Sequence, residues 1–172
     1  MRARYILLFL VCFQVSFSQS QNKEIKVDET LYYFIRHAEK DKSSPKNRNP
    51  KLSEKGQLRA LNWAYFFREI PLVAIYSTNY IRTITTAEPV AGDKNLPITI
   101  YTPKEVNINS FKKKNYGKSI LIVGHSNTTP EFVNAILGFE KFKKMKDNDN
   151  SSLFIIKEIN GDATVERLSI SF

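Results

Sequence analysis

Cysteine and histidine, the side chains that most often form disulfides or bind transition metals, are scarce in this 172-residue sequence. Cys12 is the only cysteine, and His37 and His125 are the only histidines. A single cysteine cannot form an intramolecular disulfide, and neither histidine has an acidic or cysteine ligand nearby at the spacing of a zinc site. We therefore expect no disulfide, no metal site and no other cofactor.

The sequence also lacks an apolar run of the roughly 20 residues that a membrane-spanning helix needs. Its longest apolar segment, residues 5–17, follows the positive charges of Arg2 and Arg4 and overlaps small residues at Ser16 and Ser18. This three-part arrangement is typical of a secretory signal peptide. We predict a signal peptide over residues 1–20, with an N-terminal membrane anchor or a buried strand as the alternatives.

The predicted signal peptide contains Cys12, so the remaining chain, residues 21–172, has no thiol. The residues just before Cys12 lack the small side chain that normally precedes a lipid-modified cysteine in lipoproteins. We expect an exported protein, periplasmic or secreted, that meets the membrane only through the signal peptide before cleavage.

Acidic residues are fewer than basic ones, 17 against 26, and the net charge is +9. Such an excess favours nucleic acid, an anionic surface or a small anionic substrate as the partner. The lysine runs at residues 112–114 and 141–146 are typical of solvated helix ends and loops. No nucleic-acid motif accompanies them. We therefore expect no nucleic-acid partner, and a nucleic-acid or surface-binding module remains an alternative that rests on charge alone.

Short apolar runs alternate with helical patterns along residues 21–172, which we interpret as one domain. This alternation predicts an α/β fold, a three-layer αβα sandwich with a mostly parallel central sheet. A C-terminal antiparallel hairpin is predicted around Asn160-Gly161. The predicted strands are residues 31–35, 73–76, 98–101, 119–123, 153–159 and 164–170, and the predicted helices are residues 54–68, 80–90, 108–114 and 130–137.

The first predicted helix carries two local signals. Ser53 is a suitable N-cap because its hydroxyl can accept a hydrogen bond from the first turn. An apolar stripe at helical spacing follows, and we expect it to face the core; it comprises Leu58, Leu61, Ala64 and Tyr65.

Both histidines directly follow predicted strands. Arg36 and His37 come after residues 31–35, and His125 comes after residues 119–123 and Gly124. Arg82 follows the strand at residues 73–76. Because ligands of open α/β sheets bind at the carboxyl ends of the strands, we expect these four side chains to form one cluster.

Two guanidinium groups and two imidazoles form a set suited to a phosphoryl group. Guanidinium forks match phosphate oxygens and stay charged at any working pH. A neutral imidazole can attack phosphorus and form a covalent phosphoenzyme, while the other groups stabilise the charge on the transferring group. Such a site needs no metal.

Four motifs in the chain resemble those of the histidine phosphatase superfamily, which contains phosphoglycerate mutases and related phosphatases, and they occur in the family's order. The first resembles the family's Arg-His-Gly signature, with alanine in place of the commoner glycine. The others resemble the segment that opens the first helix, the Ser–Arg–Thr-Ala-Glu segment and the Gly-His strand end. The four lie at residues 36–39, 49–56, 76–88 and 123–126.

The resemblance implies roles for individual residues. His37 would be the phosphorylated nucleophile. Arg36, Arg82 and His125 would bind the phosphate, with Asn127 as a further phosphate-binding residue. An acidic residue from the region before the third helix protonates the leaving oxygen in many relatives, and Glu105 is the residue here that fits this role.

These features together predict a metal-independent phosphohydrolase acting on a phosphomonoester or phosphohistidine, in a small substrate or a phosphoprotein. The absence of an insertion after the Arg82 helix argues against a mutase-like phosphotransferase, and the absence of an Asp after His125 argues against the acid phosphatase and phytase branch. The alternatives are such a phosphotransferase and a non-catalytic phosphoanion-binding protein that uses the same pocket.

Overall fold

The computed structural model describes residues 28–172. The predicted signal peptide lies outside the described residues. Every predicted strand and helix is present, with ends that differ by a few residues, and a 3₁₀ turn at Pro103–Glu105 precedes the third helix. The strands are β1 (Glu29–Arg36), β2 (Ala74–Ser77), β3 (Ile98–Ile100), β4 (Ser119–Gly124), β5 (Ser152–Ile159) and β6 (Asp162–Ser169), and the helices are α1 (Glu54–Phe67), α2 (Ile81–Lys94), α3 (Ile108–Asn115) and α4 (Thr128–Leu137).

The six strands form one sheet in the order β3-β2-β4-β1-β5-β6. The first four strands of this order are parallel to one another. β5 is antiparallel to β1, and β6 is antiparallel to β5. Asn160 and Gly161 have φ angles of 53° and 93°, as a tight two-residue hairpin turn requires. The predicted mixed sheet with a C-terminal hairpin is therefore confirmed.

Helices cover both faces of the sheet. Successive side chains of β1 point to opposite faces, so neighbouring residues of this strand contact different helices. Phe34 packs edge-on against Phe132 of α4, with ring centroids 5.4 Å apart. Its neighbour Tyr33 packs against Phe67 of α1 at 5.6 Å. One core thus lies between the sheet and α3 and α4, and the other lies between the sheet and α1 and α2. The three-layer arrangement is as predicted.

The predicted orientation of α1 is wrong. Leu58, Leu61 and Tyr65 are 62%, 57% and 71% exposed, so three of the four residues of the predicted stripe face outward, whereas Ala64 is partly buried against the core. The buried residues form a second stripe at helical spacing, which comprises Gly56, Ala60, Trp63 and Phe67.

Two contacts explain why the second stripe faces inward. Trp63 stacks on Phe67 at 5.8 Å, and these aromatic rings bury more apolar surface than the leucines would. Gly56 lies so close to Glu39 that an added Cβ would come within 2.1 Å of the Glu39 carbonyl oxygen. The predicted cap is present, since the Ser53 hydroxyl accepts a hydrogen bond from the Gly56 N–H at 3.2 Å.

None of the helices within residues 28–172 has the length and apolar character needed to cross a membrane.

Candidate active site

The carboxyl ends of three neighbouring parallel strands meet at one edge of the sheet. Arg36 of β1 pairs in register with Gly124 of β4, and the His37 N–H donates to the Gly124 carbonyl at 2.9 Å. On the other side of β4, the Thr78 N–H donates to Val123 at 3.4 Å. The rings of His37 and His125 consequently lie 5.4 Å apart, although 88 positions separate them in the sequence.

A cavity of about 480 Å³ opens at this edge of the sheet. Five of the six predicted site residues line it. Glu105 does not, although Pro103 and Lys104 of the same 3₁₀ turn do, and the Glu105 side chain is exposed. The five are Arg36, His37, Arg82, His125 and Asn127.

His37 is 4% exposed and its ring is fixed in one tautomer. Nδ1 lies 2.7 Å from the Ala38 carbonyl oxygen, which can only accept, so Nδ1 carries the proton and Nε2 keeps a free lone pair. Burial lowers the pKa of His37 to about 3, and the nearby charges of Arg36 and Arg82 act in the same direction. The imidazole is therefore neutral and nucleophilic throughout the ordinary pH range.

The backbone around His37 is held by side chains from distant parts of the chain. The Asn150 amide donates to the His37 carbonyl at 2.8 Å. The Ala38 N–H donates to the Thr86 hydroxyl at 2.9 Å, and that hydroxyl donates to the Arg82 carbonyl. These bonds tie the loop after β1 to the helix that carries Arg82.

His125 belongs to a chain of hydrogen bonds that also fixes its tautomer. Nη2 of Arg82, which can only donate, lies 3.3 Å from Nδ1 of His125. Nε2 of His125 must then carry the proton, and it donates to the Thr78 hydroxyl at 2.9 Å, which donates in turn to Thr83. Burial lowers the pKa of His125 to about 4, with Arg82 and Arg36 adding to the effect.

The two arginines supply buried guanidinium donors. Nη1 of Arg36 donates to the carbonyls of Lys146 and Asp149 at 2.9 and 3.2 Å. Nε of Arg36 and both Nε and Nη1 of Arg82 are buried and have no hydrogen-bond partner among the described residues. Because unpaired buried donors are costly, these nitrogens suit an oxyanion in the cavity.

The N-terminus of α4 adds a further positive edge to the cavity. Ser126, Asn127 and Thr128 line it, and Asn127 is the residue that precedes the first turn. The backbone N–H groups of a helix start favour a bound anion. Together with two guanidiniums and two neutral imidazoles, this helix start suits a tetrahedral oxyanion such as a phosphoryl group.

Sequence reasoning missed several residues that line the cavity. Thr78 could have been found, because it follows a strand end as both histidines do. Tyr80 contacts two members of the cluster, because its ring centroid lies 4.5 Å from the Arg82 guanidinium and 4.9 Å from the His125 ring centroid. Lys40 and Asp147 also line the cavity, and they lie in loops whose local sequence carries no signal.

Comparison with known proteins gives one family match and several structures of similar fold. Residues 32–103 match the family model of the histidine phosphatase superfamily, branch 1. No curated protein matches the chain by sequence.

Solved structures with the same fold include several phosphatases. A mycobacterial glucosyl-3-phosphoglycerate phosphatase in complex with VO3 superposes with a TM-score of 0.67 at 12% identity, over 83% of this chain and 100% of its own. YhfR of Bacillus stearothermophilus gives 0.66 at 18% identity, over 83% and 98%. The protein histidine phosphatase SixA, in complex with tungstate, gives 0.59 at 14% identity, over 81% and 96%. This chain therefore shares the fold of these phosphatases, and its residues 32–103 are similar to the histidine phosphatase superfamily.

Proposed function

We propose that this chain is a metal-independent phosphohydrolase that transfers a phosphoryl group from its substrate to Nε2 of His37 and then to water. The observation that carries this proposal is the state of His37. Its ring is neutral, its Nδ1 proton is committed to the Ala38 carbonyl, and its Nε2 lone pair is free beside two guanidinium groups. These are the properties of a nucleophile that needs no separate base.

The reaction consists of two displacements at phosphorus. In the first, Nε2 of His37 bonds to phosphorus as the bond from phosphorus to the leaving oxygen breaks, and the leaving oxygen takes up a proton. In the second, water attacks the phosphohistidine, loses a proton, and releases inorganic phosphate and neutral His37. Arg36, Arg82 and the start of α4 donate to the phosphoryl oxygens in both steps and stabilise their charge.

We propose a phosphomonoester or phosphohistidine as the substrate, carried by a small molecule or a protein. The fold relatives support this class, because one acts on glucosyl-3-phosphoglycerate and another is a protein histidine phosphatase. VO3 and tungstate, present in those two structures, are oxyanions like phosphate. Lys40 and Lys104 at the edge of the cavity favour a substrate with negative charge.

Export remains part of the proposal. The arrangement of charged, apolar and small residues in residues 1–20 supports a signal peptide, and the enzyme would then act in the periplasm or outside the cell.

Turnover of para-nitrophenyl phosphate in the presence of a chelator tests the proposed function. We expect the wild type to hydrolyse this ester between pH 4 and 8, and we expect His37→Ala to lose roughly 10³-fold or more of kcat because the nucleophile is gone. Cooperative thermal unfolding of the variant serves as the control for folding. Full activity of the folded variant, or loss of wild-type activity on chelation, would contradict the proposal. Binding of vanadate without turnover of this ester would leave two candidates, a phosphohistidine-specific enzyme and a phosphoanion-binding protein.

A further inference from the structure

Asp147 is the only carboxylic acid among the described residues that line the cavity around His37. Glu105, the acid that the sequence suggests, is exposed on its 3₁₀ turn and does not line this cavity. Accepting the proposed function, we infer that Asp147 is the general acid that protonates the leaving oxygen of phosphomonoester substrates.

A phosphomonoester of an ordinary alcohol needs such an acid. When the bond from phosphorus to the bridging oxygen breaks, the electron pair stays on that oxygen, and an alkoxide is a poor leaving group. The carboxylic acid of Asp147 gives its proton to this oxygen and becomes a carboxylate. In the second displacement the carboxylate accepts the proton that the attacking water loses, which restores the acid.

The backbone holds Asp147 beside Arg36. Nη1 of Arg36 donates to the carbonyls of Lys146 and Asp149, which lie on either side of Asp147 in the sequence. The Asp149 N–H donates to the Lys146 carbonyl at 3.0 Å and closes the turn. Asp147 is therefore presented by a turn that is fixed to a phosphate-binding residue.

Both ends of the loop are also attached to the site. The Met145 N–H donates to the carbonyl of Ser126, next to His125, at 2.8 Å. At the other end, the Asn150 amide donates to the His37 carbonyl. A catalytic acid needs a fixed position relative to the nucleophile, and these bonds provide one.

Asp147 also lines a second cavity of about 310 Å³, which shares Arg36 and Lys40 with the first. A residue common to both cavities lies where the two meet. An alcohol that leaves a phosphoryl group in the first cavity can extend into the second and pass the Asp147 carboxyl group. This position suits an acid that acts on the bridging oxygen.

Two other proton-bearing groups of the cavity, Tyr101 and His125, suit this role less well. Burial raises the pKa of the Tyr101 hydroxyl, so this group releases a proton reluctantly. The Nε2 proton of His125 is committed to Thr78. Asp147 is exposed and lines the cavity, so its carboxyl group is accessible both to a bound substrate and to water.

The test compares two esters that differ in their need for a proton. Glycerol 2-phosphate has an alkoxide leaving group, whereas para-nitrophenyl phosphate has a leaving group that departs without protonation. We expect Asp147→Asn to lower kcat on glycerol 2-phosphate by roughly 10²-fold or more and to change kcat on the nitrophenyl ester only a few-fold.

Glu105→Gln is the matched control, since it neutralises an exposed carboxylate outside the cavity, and we expect it to leave both rates unchanged. An equal loss on both esters in Asp147→Asn would assign Asp147 to binding and overturn the inference. No loss on either ester, or a selective loss in Glu105→Gln, would overturn it as well. Absence of wild-type turnover on both esters would overturn the inference and would restrict the proposed function to phosphohistidine substrates. Wild-type turnover of the nitrophenyl ester alone would overturn only the inference.

Discussion

Single residues at this site owe their chemistry to their surroundings. His37 and His125 lie in a buried cluster with two guanidinium groups, and both stay neutral because a proton on either ring would be poorly solvated and close to positive charge. The burial that keeps the His37 ring unprotonated also makes the folded protein sensitive to acid.

This sensitivity predicts how stability depends on pH. The ordinary pKa of histidine is 6.5, and the folded values are lowered to about 3 for His37 and about 4 for His125. Between these values and 6.5 the unfolded chain binds the protons, so this contribution to stability is fully present above pH 6.5 and falls as the pH drops. Each histidine should contribute a slope of up to about 1.4 kcal/mol per pH unit.

Urea denaturation of the wild type and His125→Gln at several pH values between 4 and 7 checks this slope. Carboxylates titrate equally in both proteins, so the difference between the two curves isolates His125. We expect the free energy of unfolding to fall less steeply with decreasing pH in the variant. Parallel curves would show that His125 is not held neutral by the fold.

The sequence predicts the site residues that directly follow an apolar strand, and it fails for those positioned by loops. His37 and His125 each follow a strand whose burial is readable from its composition, and Arg82 follows soon after another. Asp147 lies in a polar, lysine-rich loop, and hydrogen bonds to distant residues, such as those of Arg36 to the neighbouring carbonyls, determine its position. No local pattern encodes such a contact across more than 100 residues.

Among the elements, α1 shows how a close backbone contact selects between two apolar stripes. Both stripes repeat at helical spacing, so periodicity alone cannot distinguish them. Gly56 settles the orientation because only a residue without Cβ fits against the Glu39 carbonyl. Arg59 on the same helix then donates to both oxygens of the Glu39 carboxylate. The helix is thus fixed to the loop that follows His37.

A matched pair of glycine substitutions tests this account of α1. We expect Gly56→Ala to lower the free energy of unfolding by about 1–3 kcal/mol, because its Cβ would overlap a backbone oxygen. Gly92→Ala in α2 should raise it by about 0.4–1 kcal/mol, since apart from the adjacent backbone of α2 no atom lies within 4 Å of the added Cβ, and alanine favours the helix. Urea denaturation of both variants measures the difference. Equal effects of the two substitutions would contradict the account.

Across the whole molecule, the parallel sheet brings the site together. Residues 36–37, 78–82 and 125–128 follow the ends of three strands, and they meet because these strands, β1, β2 and β4, are neighbours in the sheet. The alternation of strands and helices predicts the fold class and the edge at which the site forms. The strand order and register depend on contacts between distant segments, which the sequence alone does not reveal.

We propose that this assembled site transfers a phosphoryl group to His37. Rapid mixing with para-nitrophenyl phosphate, quenching in alkali to preserve phosphohistidine, and peptide mass spectrometry test this transfer. We expect a mass increase of one phosphoryl group on the peptide that contains His37, and none in His37→Ala. Phosphate on another residue, or turnover by the wild type with no phosphorylated peptide at any mixing time, would contradict it.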